Sequence, residues 1–153
     1  MKDLIFNYIE DILAFAIKEE VEANIYYENQ AKKTTNFELK LVWEQLAHDE
    51  LRHKAVLTML LEKIEKGGKF ETYSAKDITD YTPLKFPPME YSDTEKIIMN
   101  AAQKENEAFY LYSYLSKKMT EVLHERILLS LAEEELKHKE SLLKELELLK
   151  GMK

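Results

Sequence analysis

The sequence predicts an all-α chain: an antiparallel four-helix bundle of two repeated helix hairpins joined by a long crossover. Three observations carry this. Apolar residues recur at spacings of three, four and seven over four long segments, the signature of amphipathic helices. Only 3 glycines and 3 prolines occur in 153 residues, and most of them fall in one central stretch. The pattern of the first half also returns in the second at a constant offset of 85 residues.

Four helices are expected, over 8–33, 36–66, 93–118 and 121–149, within a single domain spanning 1–153. The first carries the apolar line Ile9, Leu13, Ala16, Ala23 and Tyr27, with Glu20 inside it. The second carries Val42, Leu46, Leu57, Leu60 and Ile64, with Glu50 and His53 in the same stripe. The third runs Ile98, Ala101, Glu105, Ala108, Tyr112 and Leu115, and the fourth Ile127, Leu131, Glu135, His138, Leu142 and Leu146. The short breaks "TTN" and "MTE" suit antiparallel neighbours, since connections inside bundles run about 2–8 residues. Between Gly67 and Tyr91 the chain reads as a crossover, because "TPLKFPP" cannot continue a helix. Its aromatic residues Phe70, Tyr73, Tyr81, Phe86 and Tyr91 are expected to pin it to the helices.

The repeat aligns Glu20, Glu22, Ala23 and Tyr27 with Glu105, Glu107, Ala108 and Tyr112. It aligns "LAHDELRHK" at 46–54 with "LAEEELKHK" at 131–139, so Glu50 and His53 correspond to Glu135 and His138. Ungapped identity over residues 7–68 is roughly a third, well above chance for one offset. Capping signals follow the same offset: Asn7 with Glu10, and Ser92 with Glu95, each read as a capping box.

A formal net charge of −7 disfavours nucleic acid and anionic membrane surfaces as partners. The 22 basic residues are interleaved with 29 acidic ones, as on solvated helix faces. Cysteine is absent, which excludes disulfides, thiolate zinc sites and a cysteine nucleophile. No signal peptide or membrane-spanning run is present, so a cytoplasmic protein is expected.

Each hairpin thus offers one Glu from its first helix and Glu-x-x-His from its second, all in apolar stripes. Four ionised carboxylates in a core would cost at least several kcal/mol per unpaired ion, or would have to be protonated. Two divalent cations cancel the four negative charges, and two neutral imidazoles complete the set. This is the ligand pattern of dinuclear carboxylate sites in helix bundles. Oxygen-rich ligation with two imidazoles suits iron or manganese better than structural zinc.

The repeated E-x-x-A-x-x-x-Y (Glu20 to Tyr27, Glu105 to Tyr112) and E-L-x-H (Glu50 to His53, Glu135 to His138) make the chain resemble the rubrerythrin branch of the ferritin-like superfamily, in a form without a rubredoxin domain. The resemblance covers essentially the whole length. It implies two iron ions, with manganese or zinc as alternatives. Glu50 and Glu135 would bridge them. Glu20 with His53 would complete one metal site, and Glu105 with His138 the other. Tyr27 and Tyr112 would hydrogen-bond ligating carboxylates and hold them in orientation. The implied activity is reduction of hydrogen peroxide, or dioxygen, in defence against oxidative stress, with electrons returned by a separate donor such as a rubredoxin. A homodimer is the expected assembly. Rubrerythrins proper also carry an extra glutamate near the third helix's ligand; the same-face neighbours of Glu105 are Ala101, Ala102 and Ala108, so that ligand is missing here. Two alternatives stand beside this reading: a ferroxidase that handles iron, and a non-enzymatic helical bundle with a remnant metal site.

Other signals read more plainly. Glu121 and His124 repeat the Glu-x-x-His spacing without a partner at the 85 offset, and are expected to be ordinary surface at the start of the last helix. His48 reads as solvated. Trp43, Phe15 and Tyr26 read as packing or subunit-contact residues, and Met59, Leu60 and Leu61 as core filling.

Overall fold

The structure, a computed structural model, describes residues 5–64, 69–74 and 81–151. Its elements in chain order are β1 (Ile5–Tyr8), α1 (Ile9–Lys33), α2 (Phe37–Lys63), β2 (Lys69–Ser74), α3 (Asp93–Ser116) and α4 (Val122–Gly151). The chain divides into two compact units, Met1–Asp77 and Ile78–Lys153. Each holds one helix hairpin, so the unit of the sequence repeat is also the unit of structure.

In the first unit α1 and α2 run antiparallel. The Asn24 side-chain amide donates to the Ala47 carbonyl at 2.7 Å, and the Tyr27 ring stacks on Trp43 at 5.4 Å between centroids. Ile9, Ile12, Leu13, Ala16 and Tyr27 of α1 are buried, as are Leu39, Trp43, Leu46, Leu57 and Leu60 of α2. Asn36 caps α2, its side chain accepting from Leu39 N at 3.0 Å. Such a cap contributes about 1 kcal/mol.

Entry into α1 differs from the expected capping box. Tyr8 is the N-cap and makes no side-chain cap bond. The reason is that residues 5–8 are a strand. β1 pairs antiparallel with β2, Ile5 opposite Ser74 and Phe6 opposite Tyr73, with a bulge between Phe6 and Tyr8. Asn7 therefore sits at the bulge of this strand instead of at a helix start. Phe6 packs on Phe15 of α1 at 5.5 Å, which fixes the strand-to-helix junction.

The second unit packs α3 on α4 with Ile98, Ala101, Ala102, Leu115, Leu128, Leu131 and Leu142 buried. At its start the capping box is complete: Ser92 Oγ accepts from Glu95 N at 3.1 Å, and Glu95 Oε1 accepts from Ser92 N at 3.0 Å. Residues 81–91 are tied to the helices they precede. Gln103 reaches back with both ends, donating to the Tyr81 hydroxyl at 2.7 Å and accepting from Leu84 N at 3.1 Å. Tyr81 also meets Tyr110 edge-on at 5.2 Å. The Tyr91 hydroxyl donates to the Pro87 carbonyl, and Lys150 lies over the Tyr91 ring at 4.4 Å, a cation–π contact. Gly67, Gly68 and the crossover residues 75–80 lie outside the described residues, as do the side chains of Phe70 and Tyr73.

Candidate metal centre

Every ligand candidate named from sequence is buried. Glu20, Glu50, His53, Glu105, Glu135 and His138 are each 7% exposed or less. Tyr27 and Tyr112 are buried with them.

In the first hairpin, antiparallel packing brings residue 20 of α1 level with residues 50–53 of α2. Glu50 and His53 are one turn apart, so both project from the same face. His53 Nδ1 lies 3.6 Å from Glu20 Oε2 and 3.7 Å from Glu50 Oε1. The second hairpin repeats the arrangement. His138 Nδ1 lies 3.5 Å from Glu105 Oε2 and 3.5 Å from Glu135 Oε1. Within each trio the potential ligand atoms all fall within 4.8 Å of one another.

These separations discriminate between two uses of the groups. A nitrogen-to-oxygen hydrogen bond is about 2.7–3.2 Å long, and the four distances exceed that. Two donors held by one cation at about 2.0–2.2 Å, at octahedral to tetrahedral angles, sit about 2.8–3.6 Å apart. Three of the observed values fall at the upper edge of that range, and the fourth, 3.7 Å, lies just beyond it. The donor chemistry agrees. Each trio is two carboxylates and one imidazole, which one divalent cation neutralises when the imidazole is neutral. In both hairpins the imidazole turns the same nitrogen, Nδ1, toward the carboxylates, as a shared ligand role requires. The trios fit a metal.

A match to the family model described as rubrerythrin covers residues 11–146, both hairpins and all six ligand candidates. The chain belongs to the rubrerythrin family. A solved structure, a hypothetical protein from Pyrococcus furiosus, is similar at 26% identity with a TM-score of 0.76, over 95% of this chain and 92% of that one. No curated protein matches. The all-α, four-helix, ferritin-like class expected from the sequence is therefore established, with the β1–β2 ribbon added to it. Among the described residues, no helix is long and apolar enough to cross a membrane.

Two expectations about neighbouring residues need correction. His124 is not ordinary surface: it is buried, with Nε2 3.4 Å from a carboxylate oxygen of the largely exposed Glu121. It stands four residues before Leu128 and so extends the buried stripe of α4 by one turn. Glu121 also precedes the first helical residue, Val122, so it lies outside the first turn. Met59 is not core filling but 43% exposed, because it sits about 100° around the helix from the buried Leu60. His48 is exposed, as its isolated position suggested.

Several buried polar residues were missed. Glu145 lies seven residues after His138, on the same stripe of α4, and is buried; that spacing was readable. Asn106 is buried beside Glu105, donating to the Thr82 carbonyl at 2.9 Å and facing Lys139 at 3.5 Å. It holds residue 82 against α3 immediately beside a ligand candidate. Tyr81 in the same segment has its phenol pKa raised, first by burial and then by the nearby Glu107 charge.

Proposed function

We propose that the two Glu/Glu/His trios are the halves of one dinuclear iron centre that reduces hydrogen peroxide. The observation that carries this is the duplication itself. A single buried Glu-x-x-His is a common structural pair, but here the same trio recurs in both hairpins of a rubrerythrin-family chain, with matching atoms and near-identical distances. By family resemblance Glu20 and His53 would hold one ion and Glu105 and His138 the other, with Glu50 and Glu135 shared between them. Manganese or zinc would meet the same donors.

When bound, the metal pair supplies Lewis acidity and the two electrons that peroxide needs, with two protons, to become two waters. The protein's part is positional. The carboxylates are buried, which leaves few rotamers open to them. The apolar residues beside them, Leu46, Leu57, Leu131 and Leu142, exclude bulk water and so strengthen each charge interaction. Tyr27, its ring fixed by the stack on Trp43, and Tyr112 serve to orient ligating carboxylates. A separate rubredoxin-like donor returns the electrons.

The test is anaerobic loading with Fe²⁺ followed by rapid mixing with H₂O₂ or with O₂. Faster oxidation by peroxide, with the metal retained, is expected. Faster oxidation by O₂ with release of ferric product would instead make the chain an iron-handling ferroxidase, and absence of stoichiometric binding would remove both readings.

A further inference from the structure

The chain just before α3 lies across the groove between α3 and α4, at the level of the second trio. Gln103, Asn106 and Tyr110 share one face of α3, and residues 81–84 are tied to it. Asn106 donates to the Thr82 carbonyl, Gln103 holds Tyr81 and Leu84, and Tyr81 meets Tyr110 edge-on. Lys139 of α4 reaches the same Asn106 side chain at 3.5 Å, so residue 82 sits where the two helices meet. Asn106 and Lys139 each follow a ligand candidate by one position, Glu105 and His138. His138 is also the most exposed of the six ligand side chains, at 8% against 0% for His53. The first hairpin supplies a comparison. The positions 85 residues before Gln103, Asn106 and Tyr110 are Lys18, Val21 and Ile25. The Lys18 side chain is 73% exposed and Ile25 is 53% exposed. The first trio needs no covering segment on this face; the second has one.

We propose that residues 81–84 are a removable cover over this groove, and that the ion of the second trio enters and leaves beneath it, ahead of the ion of the first. The proposal rests on the reading of the trios as a metal centre. Residues 81–87 have no regular secondary structure, so lifting them breaks no helix or ladder, and segments of this kind open locally at a small fraction of the global unfolding cost. The contacts that break are also ones that water replaces. The Asn106 amide, the Thr82 carbonyl and the Lys139 ammonium all hydrate once parted, whereas opening an apolar seal would expose apolar surface. The uncovered groove offers carbonyl and amide oxygens, donors that suit a hard divalent ion. Lys139 opposes such an ion while the cover is shut; its flexible stem carries the charge into solvent once Asn106 is released.

Anaerobic release kinetics of the full chain provide the test. The protein is loaded with Fe²⁺ and mixed with an excess of a chromogenic ferrous chelator. Two phases of equal amplitude are expected, the fast one from the second trio. Asn106→Val, which installs the residue of the first hairpin, should speed the fast phase at least about fivefold, and Gln103→Leu, which cuts two hydrogen bonds, at least about tenfold. Neither should move the slow phase. Amide hydrogen exchange of the metal-free variants gives a second readout. The Thr82 and Leu84 amides should exchange faster than in the native chain, while α3 and α4 keep their protection and so show that the variants fold. Release of both ions in a single phase, equal acceleration of both phases, or a fast phase unchanged in variants whose Thr82 and Leu84 amides exchange faster would overturn the proposal and leave the metal centre standing. Absence of iron uptake would remove the centre and the proposal together.

Discussion

Replacing Glu50 by leucine separates the cost of a buried carboxylate from its use. Glu50 is 2% exposed and its Oε1 lies 3.7 Å from His53 Nδ1. Without metal, removing one of two neighbouring buried carboxylates relieves like-charge repulsion and a desolvation cost of several kcal/mol per ion, offset in part by the loss of its interaction with His53. Metal-free Glu50→Leu should therefore melt at the same temperature as the metal-free native chain or higher. With metal the order reverses. Free Fe²⁺ at a hundred times its dissociation constant stabilises a one-site protein by about 2.7 kcal/mol. For a chain of this size that corresponds to a rise in Tm of about 5–11 °C. The native protein should show this rise under anaerobic conditions, whereas the variant should show little of it. The assay is differential scanning calorimetry of both proteins, with Fe²⁺ and with chelator. An equal metal-dependent rise in the variant would show that Glu50 is a structural acid and not a ligand.

Three further outcomes are expected. Trp43→Leu, which substitutes the residue that α4 carries at the equivalent position, removes the stack on Tyr27 and leaves unfilled volume; a loss of about 2–4 kcal/mol should appear in the denaturant midpoint. Gln103→Leu severs both hydrogen bonds to residues 81 and 84, each contributing about 1 kcal/mol, so limited proteolysis should cut within 81–91 faster while the helices stay intact. Glu121→Gln should leave metal content unchanged by elemental analysis, since Glu121 is exposed and the histidine beside it, His124, is not part of either trio.

The ligand candidates were legible because periodicity and repetition act together. Glu20, Glu50 and His53 stand in apolar stripes, and their counterparts Glu105, Glu135 and His138 stand at the same places 85 residues on. The start of α3 was legible because the Ser92 side chain makes it. The start of α1 was not, because pairing with a strand more than sixty residues away draws residues 5–8 into a ladder. No local propensity at Asn7 could reveal that. His124 was misread for a related reason. Its lack of a repeat partner argued against a ligand role, but burial depends only on its spacing to Leu128. Glu145 was overlooked although the same spacing rule covers it. Met59 shows the opposite case: a run of apolar residues reads as core, although consecutive helix positions point about 100° apart.

If two equivalent trios hold a pair of metal ions, anaerobic Fe²⁺ titration of the native chain will show it. About two tightly bound ions per chain are expected, with Glu50→Leu and Glu135→Leu each disturbing both ions, as bridging ligands would. No stoichiometric uptake, or two ions lost one at a time and independently in the two variants, would contradict it.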